Sequence, residues 1–315
     1  MKAAVINEFG PPEVFKIDEI QSPVPRAHEV LIKVHATSIN PIDWKTRKGN
    51  LKFILGSNFP IVLGYDAAGT VVLTGSKVTK FKKGDEVYGR LDRKLGGALA
   101  EYAVGSESVF APKPPTVSWE QAAAVPLAAL TALQGLRDKG EIKKGQKILI
   151  NGASGGVGHF ALQIARYFET ETTAISSNRH QEMMEDLKPH RWIDYTREDF
   201  KKKNDKYDII FDTVGTETYL SCRHLLNPGG VYVNTLPRPK ILYHTMISLF
   251  SQGKKVRTFL MKAEGNDLNF LNKMIRENKL KIYIDKVFPL ERVSDAHKYS
   301  QSGKTEGKVV VKIID

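Results

Sequence analysis

The stretch ILINGASGGVG, residues 148–158, decides the fold of this chain. Its branched apolar start predicts a buried strand, and its glycine-rich middle runs into apolar residues Phe160, Ile164 and Ala165, which predict a helix over 156–168. Glycine lets a backbone turn tightly beside a pyrophosphate, and the first N–H groups of a helix can bind its oxygens. Ala153 stands where the usual G-x-G-x-x-G pattern has its first glycine, so a structural turn is the alternative. The place of the loop between a strand and a helix favours dinucleotide binding.

Strands and helices continue to alternate on the C-terminal side of this loop. The predicted strands cover residues 147–151, 172–176, 192–194, 208–212, 231–234 and 257–261, and the predicted helices cover 156–168, 180–187 and 216–226. Such alternation indicates βαβ units and a doubly wound parallel sheet, so the fold class is α/β.

The first 115 or so residues have a different character, with short β-branched runs over 3–6, 29–36, 69–72 and 86–88. Ser118 and Gln121 then form a capping-box pattern, which predicts a helix continuing to about residue 139. A helix over 268–278 and a strand over 308–314 are expected to return to the first domain. The segments 48–58 and 238–252 are expected to be loops that shape a substrate pocket.

Composition excludes several classes of protein. The chain is 41% hydrophobic and 26% charged, as in ordinary folded proteins, so disorder is not expected. The 47 Lys and Arg against 35 acids give a net charge of +12, but the basic runs are short and scattered, so nucleic acid is not an expected partner. The N-terminus resembles neither a signal peptide nor a transit peptide, and we expect a cytoplasmic protein.

The residues that follow the second strand of a dinucleotide-binding fold indicate whether it binds NAD or NADP. NAD-binding proteins place an acid there for the ribose 2′-hydroxyl. Here the segment is Ser176, Ser177, Asn178 and Arg179, with no acid between Thr172 and Gln181. Hydroxyl, amide and guanidinium groups suit a 2′-phosphate, so the expected cofactor is NADPH. The alternative is that Arg179 caps the next helix or faces water.

Groups for metal or covalent chemistry are scarce in the sequence. The single cysteine, Cys222, excludes an internal disulfide and a cysteine-based metal cluster, and it is expected to be a small buried apolar residue. The eight histidines show no paired metal spacing, and His159 is expected to be structural. No Tyr-x-x-x-Lys pair occurs in the sequence. We therefore expect no metal site and a hydride transfer that proceeds without one.

Five ordered motifs resemble a known family, the zinc-independent medium-chain dehydrogenases/reductases of the quinone oxidoreductase branch. They are NPIDWK at 40–45, GYDAAG at 64–69, FKKGDEV at 81–87, the glycine loop at 153–158 and GKVVV at 307–311. The match covers essentially the whole chain and is similar in particular to chloroplast-envelope quinone oxidoreductase homologues and alkenal/one oxidoreductases. Where zinc-dependent relatives have G-H-E with a metal ligand, this chain has Gly64-Tyr65-Asp66.

The resemblance implies a GroES-like catalytic domain from residues 1–121 plus 264–315, a Rossmann domain from 122–263 inserted into it, and a cleft where they meet. The cofactor contacts that it implies are Lys45, Thr131, Ser154, Gly155, Gly156, Val157, Ser176, Ser177, Asn178, Arg179, Tyr195, Val214, Gly215, Asn234, Thr235, Leu236, Gly307 and Lys308. It further implies a homodimer that pairs edge strands near residues 257–261.

The expected reaction is NADPH-dependent hydride transfer to a conjugated electrophile, either an α,β-unsaturated ketone or aldehyde or a quinone. No acid is assigned; Asn40, Lys45 and Tyr65 are the candidates for stabilising the oxyanion or contacting substrate. The alternative is an NADPH-binding regulatory or peripheral-membrane protein, since the net charge and the apolar stretch 246–250 suit weak contact with anionic lipid. Reduction of a carbonyl to an alcohol is disfavoured because both metal and a Tyr-Lys pair are missing.

Overall fold

A computed structural model describes residues 1–56, 58–236, 238–249 and 253–314. The strands in these residues are β1 (Lys2–Ile6), β2 (Phe15–Glu19), β3 (Glu29–Ile39), β4 (Ile61–Val62), β5 (Asp66–Thr74), β6 (Glu86–Arg90), β7 (Tyr102–Ser106), β8 (Phe110–Pro112), β9 (Lys147–Asn151), β10 (Glu171–Ser176), β11 (Arg191–Asp194), β12 (Tyr207–Asp212), β13 (Leu226–Asn234), β14 (Lys255–Thr258), β15 (Ile284–Pro289) and β16 (Lys308–Lys312).

The α-helices in the same residues are α1 (Pro41–Arg47), α2 (Lys52–Leu55), α3 (Trp119–Ala124), α4 (Pro126–Gln134), α5 (Gly158–Tyr167), α6 (Gln181–Leu187), α7 (Tyr219–Cys222), α8 (Pro239–Leu249), α9 (Gly265–Arg276) and α10 (Val293–Gln301). Within the described residues, none of these helices is long and apolar enough to cross a bilayer.

The first compact unit is built from Met1–Ala128, Ala263–Asn278 and Ile282–Asp315. Its larger sheet has the order β15-β16-β3-β5-β6-β8, with β7 also paired to β3, and its smaller sheet has the order β2-β1-β4. All neighbours are antiparallel except β15 and β16. Two apolar clusters fill this unit, one around Ile6, Leu63 and Val311 and the other around Val30, Ile32 and Leu91.

The second compact unit is built from Ala129–Lys262 and Lys279–Lys281. Its sheet has the order β11-β10-β9-β12-β13-β14, and every pair in it is parallel. The strands β9 and β12 are buried at almost every position, as expected when helices cover both faces. The predicted α/β fold class, with a parallel Rossmann-like sheet and a separate β-rich domain, is confirmed.

Several predicted elements differ from the structure. The helix predicted to reach residue 139 is interrupted at Pro126, which begins α4 because proline has no N–H to continue α3, and a π-turn covers Gly135–Lys139. The helix predicted over 216–226 is wrong for most of its length: α7 spans four residues, a 3-10 turn follows, and Leu226 begins β13, where it is buried against the sheet.

Other differences concern strands and loops. The strand predicted over 257–261 lies at β14, two residues earlier. The strands β2, β4, β7, β8 and β15 were not predicted, since they are short or their residues lack a clear alternation of apolar and polar side chains. The segments expected to be loops contain the helices α2 and α8.

Candidate cofactor-binding edge and a buried charged cluster

The glycine loop occupies residues 152–157, between β9 and α5 in the second unit. The N–H groups of Gly152 and Ala153 both donate to the carbonyl oxygen of Ile175, at 3.1 and 2.9 Å, which ties the loop to β10. Gly155 N–H donates back to Gly152 O at 3.0 Å. Backbone hydrogen bonds therefore hold the loop, two of them to β10 and one within the loop itself.

Two glycines, Gly152 in this loop and Gly158 at the start of α5, leave no room for a side chain. Gly152 has φ +81°, and a Cβ atom there would lie 2.3 Å from Cγ2 of Val214. A Cβ atom on Gly158 would lie 2.0 Å from the carbonyl oxygen of Gly152, which is backbone and cannot rotate away. The N-terminus of α5 therefore packs directly on the end of β9, as the dinucleotide-binding turn requires.

The amides of this loop fit an anionic ligand. In the described residues, the N–H groups of Ser154, Gly156 and Val157 have no hydrogen-bond acceptor, and they lie at the positive end of the α5 dipole. Ser154 is buried, whereas Gly155, Gly156 and Val157 are partly exposed. Unsatisfied amides at a helix N-terminus are the ordinary partners of phosphate oxygens, so the residues present fit a pyrophosphate.

The segment from Ser176 to Arg179 begins at the C-terminal end of β10. The Ser176 hydroxyl accepts a hydrogen bond from Nε1 of Trp192 at 2.9 Å, so it is already engaged. The buried hydroxyl of Ser177 has no partner among the described residues. Asn178 begins a 3-10 turn, and Arg179 is exposed with Nη2 3.4 Å from Nε2 of His180.

Tyr195 joins this segment from the neighbouring strand. It follows β11, its backbone N–H donates to Ser176 O at 3.2 Å, and 57% of its surface is exposed. Asp194 lies directly beside Ser176 in the strand register, and sequence reasoning missed this acid because only the segment after β10 was searched. Burial opposes ionisation of Asp194, but hydrogen bonds from Thr196 and from the Asn178 backbone hold its pKa below the usual range.

The loops after β12 and β13 converge on Asp212, which is completely buried. Its carboxylate accepts hydrogen bonds from the backbone N–H groups of Val214 and Gly215 and from the side chain of Asn234. Thr235 and Leu236, half-buried, follow Asn234. The structure therefore brings these five predicted residues to one sheet edge, and the residue that gathers them, Asp212, was not predicted. A strand-end acid followed by Thr-Val-Gly was the only signal for it.

Two predicted residues of the first unit, Asn40 and Lys308, meet in a buried charged cluster with Ser38 and Asp66. Oδ2 of Asp66 accepts from Ser38 Oγ at 2.6 Å and from Asn40 Nδ2 at 2.8 Å, and the Lys308 ammonium lies 3.7 Å away. Lys308 Nζ donates to Asn40 Oδ1 at 2.5 Å. Desolvation lowers the pKa of Lys308, although the charges of Asp66 and Asp43 act in the opposite direction.

Asp43 lies on α1 beside this charged cluster and is also completely buried. Its Oδ2 accepts from the backbone N–H of Asn40 at 2.7 Å, whereas its Oδ1 has no partner among the described residues. Desolvation raises the pKa of Asp43 to about 7, and the charge of Asp66 acts in the same direction.

Four further predicted residues stand elsewhere. Tyr65 is buried; its hydroxyl donates to Lys94 O at 2.9 Å, and burial raises its pKa. The half-buried Lys45 has its ammonium 5.4 Å from the centre of the Trp44 ring. The remaining two are Thr131, which is buried on α4, and Gly307, which has φ +77°.

No group of three or more His, Cys, Asp or Glu side chains is placed to hold a metal ion within the part of the chain that the structure describes. Cys222 is buried, as predicted, and burial raises the pKa of its thiol to about 11.

Two known domain families match this chain. The alcohol dehydrogenase GroES-like domain matches residues 26–115, and the zinc-binding dehydrogenase domain matches residues 187–311. A quinone-oxidoreductase homolog of Spinacia oleracea chloroplasts is 34% identical over 96% of this chain and 95% of its own. The NADPH-dependent alkenal/one oxidoreductase of Arabidopsis thaliana chloroplasts is 35% identical over 99% of this chain and 79% of its own.

A solved structure agrees with these relatives. The quinone oxidoreductase from Coxiella burnetii has a TM-score of 0.92 to this chain, with 34% identity, and the match covers 100% of this chain and 99% of that one. The chain belongs to the medium-chain dehydrogenase/reductase family, with quinone and alkenal/one oxidoreductases among its homologues. The resemblance drawn from the five motifs is thereby confirmed, and the protein is an oxidoreductase.

Proposed function

We propose that this protein is an NADPH-dependent oxidoreductase that reduces a conjugated electrophile, an α,β-unsaturated ketone or aldehyde or a quinone. The observation that carries this proposal is the glycine loop, where three amides that have no acceptor among the described residues lie at the N-terminus of α5. The names of two relatives, an NADPH-dependent alkenal/one oxidoreductase and a quinone-oxidoreductase homolog, support the choice of substrates.

The second unit's own residues account for cofactor binding in this proposal. The amides of residues 154–157 would hold the pyrophosphate, and the loops after β12 and β13 would hold the nicotinamide half. Ser177 and Arg179 would bind the 2′-phosphate, because the Ser177 hydroxyl has no partner in the described part of the chain and the Arg179 guanidinium is exposed. Tyr195 is exposed enough to cover the adenine. NADPH, when bound, would supply the hydride.

The structure shows what the side chains of two candidates for binding the substrate oxygen already contact. Both functional groups of the Asn40 side chain are engaged, with Asp66 and with Lys308. The Tyr65 hydroxyl is committed to Lys94 O. Lys45, a half-buried cation, stays a candidate for stabilising negative charge on the substrate oxygen, and Thr131, Gly307 and Lys308 stay proposed cofactor contacts.

Steady-state turnover tests the proposal. We expect reduction of enones, enals or quinones with NADPH, and a much lower kcat/KM with NADH. The variant Arg179→Ala should lower kcat/KM with NADPH but not with NADH, which reduces the preference for NADPH. Arg223 is an exposed arginine on the turn after α7, and Arg223→Ala should leave the preference unchanged. Equal use of the two cofactors would contradict the assignment of NADPH, and no turnover with either would contradict the oxidoreductase assignment for these substrates.

One surface favours the alternative function at a membrane. The helix α8 exposes Leu242, Tyr243, Met246 and Ile247, each about half exposed, and the chain carries a net charge of +12. The rest of the apolar stretch 246–250 includes Phe250, which lies outside the described residues. Salt-reversible sedimentation with anionic liposomes, together with no turnover of any enone or quinone, would favour a peripheral-membrane regulatory protein over the enzyme.

We also propose a cytoplasmic homodimer. Support for the dimer comes from β14, which is one of the two edge strands of the parallel sheet and has a free hydrogen-bonding side in the described structure. Light scattering at several concentrations tests this, and a monomer at all of them would contradict it.

A further inference from the structure

We infer that Asp212 is a positioning residue, which holds the loops that bind the nicotinamide half of the cofactor. It has no effect on binding of the adenosine half. This rests on the proposed function, since it assigns roles to loops that are proposed to bind NADPH. Asp212 itself is completely buried and is not proposed to touch cofactor or substrate.

Five hydrogen bonds converge on this carboxylate. Its Oδ1 accepts from Asn151 Nδ2 at 3.0 Å and from the backbone N–H groups of Gly215 at 2.9 Å and Val214 at 3.2 Å. Its Oδ2 accepts from the Tyr232 hydroxyl at 2.7 Å and from Asn234 Nδ2 at 2.9 Å. Both oxygens thus accept from donors on the two neighbouring strands, β9 and β13, and in the loop after β12.

The donors stand where the proposed binding loops begin. Asn151 is the last residue of β9, directly before the glycine loop, and Asn234 is the last residue of β13. Oδ1 of Asn234 in turn accepts from the Leu236 N–H at 2.8 Å, and Arg238 Nη1 donates to Gly215 O at 2.8 Å. The loops after β12 and β13 are therefore tied to each other and, through Asp212, to the start of the glycine loop.

The adenosine side has separate supports. The segment Ser176–Arg179 and Tyr195 follow β10 and β11, and none of the hydrogen bonds described for Asp212 reaches them. They are held instead by the bond from Trp192 to Ser176 and by the bonds that Asp194 accepts from Thr196. Loss of Asp212 should consequently affect one half of the cofactor site and spare the other.

An asparagine cannot replace this carboxylate, although it has the same shape. If its NH2 group took the place of Oδ1, it would face two backbone N–H groups, which cannot turn into acceptors. If it took the place of Oδ2, it would face Nδ2 of Asn234, whose amide cannot flip without losing Leu236. Either orientation sets donor against donor in a buried position, which is costly.

The test compares Asp212→Asn with Asp208→Asn by calorimetric titration. Asp208 is a matched control because it also accepts two hydrogen bonds on β12, from Lys147 N–H and Asn227 Nδ2, but at the opposite end of the strand. The probes are NADPH and adenosine 2′,5′-bisphosphate, which carries only the adenosine half. For Asp212→Asn we expect NADPH binding to weaken about tenfold to a hundredfold and bisphosphate binding to stay unchanged. Asp208→Asn should bind both probes as the parent does.

Turnover and a milder variant complete the test. Asp212→Asn should also lower kcat at saturating NADPH, because the nicotinamide half would be held less well. If Asp212→Asn fails to fold, Tyr232→Phe replaces it in the test, because it removes one donor at almost constant volume. Tyr232→Phe should weaken NADPH binding less than Asp212→Asn does, and it should leave bisphosphate binding unchanged.

Two results would overturn the inference: equal weakening of both probes, which indicates a purely structural Asp212, or unchanged NADPH binding. Binding of neither probe by the parent protein would overturn the proposed function, and the inference with it.

Discussion

The ammonium nitrogen of Lys308 lies 2.5 Å from the side-chain oxygen of Asn40, in the buried charged cluster. The same ammonium lies 3.7 Å from the carboxylate of Asp66, and both charged side chains are almost completely buried. A hydrogen bond thus joins the strand β16 to Asn40, which precedes α1, and an ion pair joins it to Asp66, which begins β5. Breaking such a pair leaves an uncompensated charge in a medium of low polarity.

We expect Lys308→Met to lower the free energy of unfolding by about 3 to 5 kcal/mol, since Asp66 then stays buried without its counter-charge. Urea unfolding followed by circular dichroism measures this. The double variant Lys308→Met/Asp66→Asn should recover a large part of the loss. If the double variant is no more stable than Lys308→Met, charge compensation is not what Lys308 supplies.

The buried His297 should make the unfolding free energy depend on pH. Its ring packs against Phe15, its two nitrogens have no partners among the described residues, and desolvation with the charge of Arg47 lowers its pKa to about 3. Between pH 6.5 and pH 3 the unfolded chain therefore binds a proton that the folded chain does not, so this histidine removes stability as the pH falls.

The variant His297→Gln should therefore gain stability relative to the parent by about 1.4 kcal/mol for each pH unit below 6.5. Unfolding curves at several pH values between 7 and 4 measure the difference. His28→Gln, which changes an exposed histidine, serves as the control for removing one imidazole from the chain. A difference for His297→Gln that does not change with pH would show that the ring titrates normally in the folded protein.

Asp43 should act in the opposite direction. With its pKa raised from 3.8 to about 7 by desolvation, the folded chain holds a proton there that the unfolded chain releases. The stability that this proton contributes is complete below pH 3.8 and is lost as the pH rises through 7. Asp43→Asn should thus gain on the parent by about 1.4 kcal/mol per pH unit from pH 4 to pH 7, measured as above. A variant that gains instead as the pH falls contradicts the raised pKa.

The close packing of α5 on β9 predicts the effect of one added methyl group. A Cβ atom at Gly158 would lie 2.0 Å from Gly152 O, so Gly158→Ala must displace the helix that carries the proposed phosphate-binding amides. A displacement near 1 Å can cost about a hundredfold in activity, and we expect kcat/KM with NADPH to fall by about that factor, with a lower Tm. Gly155→Ala, whose Cβ meets only Gly152 O at 3.3 Å, should keep the parent Tm. An unchanged Tm and activity for Gly158→Ala would contradict this packing.

The unpartnered hydroxyl of Ser177 separates binding from stability. Because it makes no hydrogen bond with the described residues, Ser177→Ala should leave the free energy of unfolding unchanged or slightly raised. NADPH binding should weaken about tenfold, as expected for one hydrogen bond to a phosphate, while NADH binding should not change. Equal changes for the two cofactors would remove Ser177 from the 2′-phosphate site. Ser176→Ala, which strips Trp192 of its acceptor, should instead lower stability.

Elements with a strong local pattern were predicted well. The strand β9 was predicted with its bounds, and the capping box of Ser118 and Gln121 forms as predicted, because each depends on residues close in the chain. The helix over 216–226 failed because Leu226 pairs with Tyr207 of β12, a contact nineteen positions away that no local pattern reports. Strands such as β15, whose residues are mostly exposed or half-buried, gave no alternation to detect.

The candidate site shows the same division. The glycine loop and the absence of an acid at the end of β10 could be read along the chain. Asp194, which lies beside Ser176 only through the pairing of β10 with β11, could not, and neither could Asp212, whose donors come from as far away as Asn151. Residues such as Asn40 and Tyr65 were found by motif, but what their side chains bind was not.

By itself, the order of residues determined the class of fold, the family and the loop suited to a dinucleotide, since apolar periodicity, glycine spacing and helix caps act over a few neighbouring positions. Only the tertiary structure decided which polar groups form hydrogen bonds or ion pairs with one another and which remain available to a ligand. Burial of Asp66, Lys308 and Asp212 brings together charges and donors from distant strands, and a hydrogen bond depends on distance in space, which the sequence does not record.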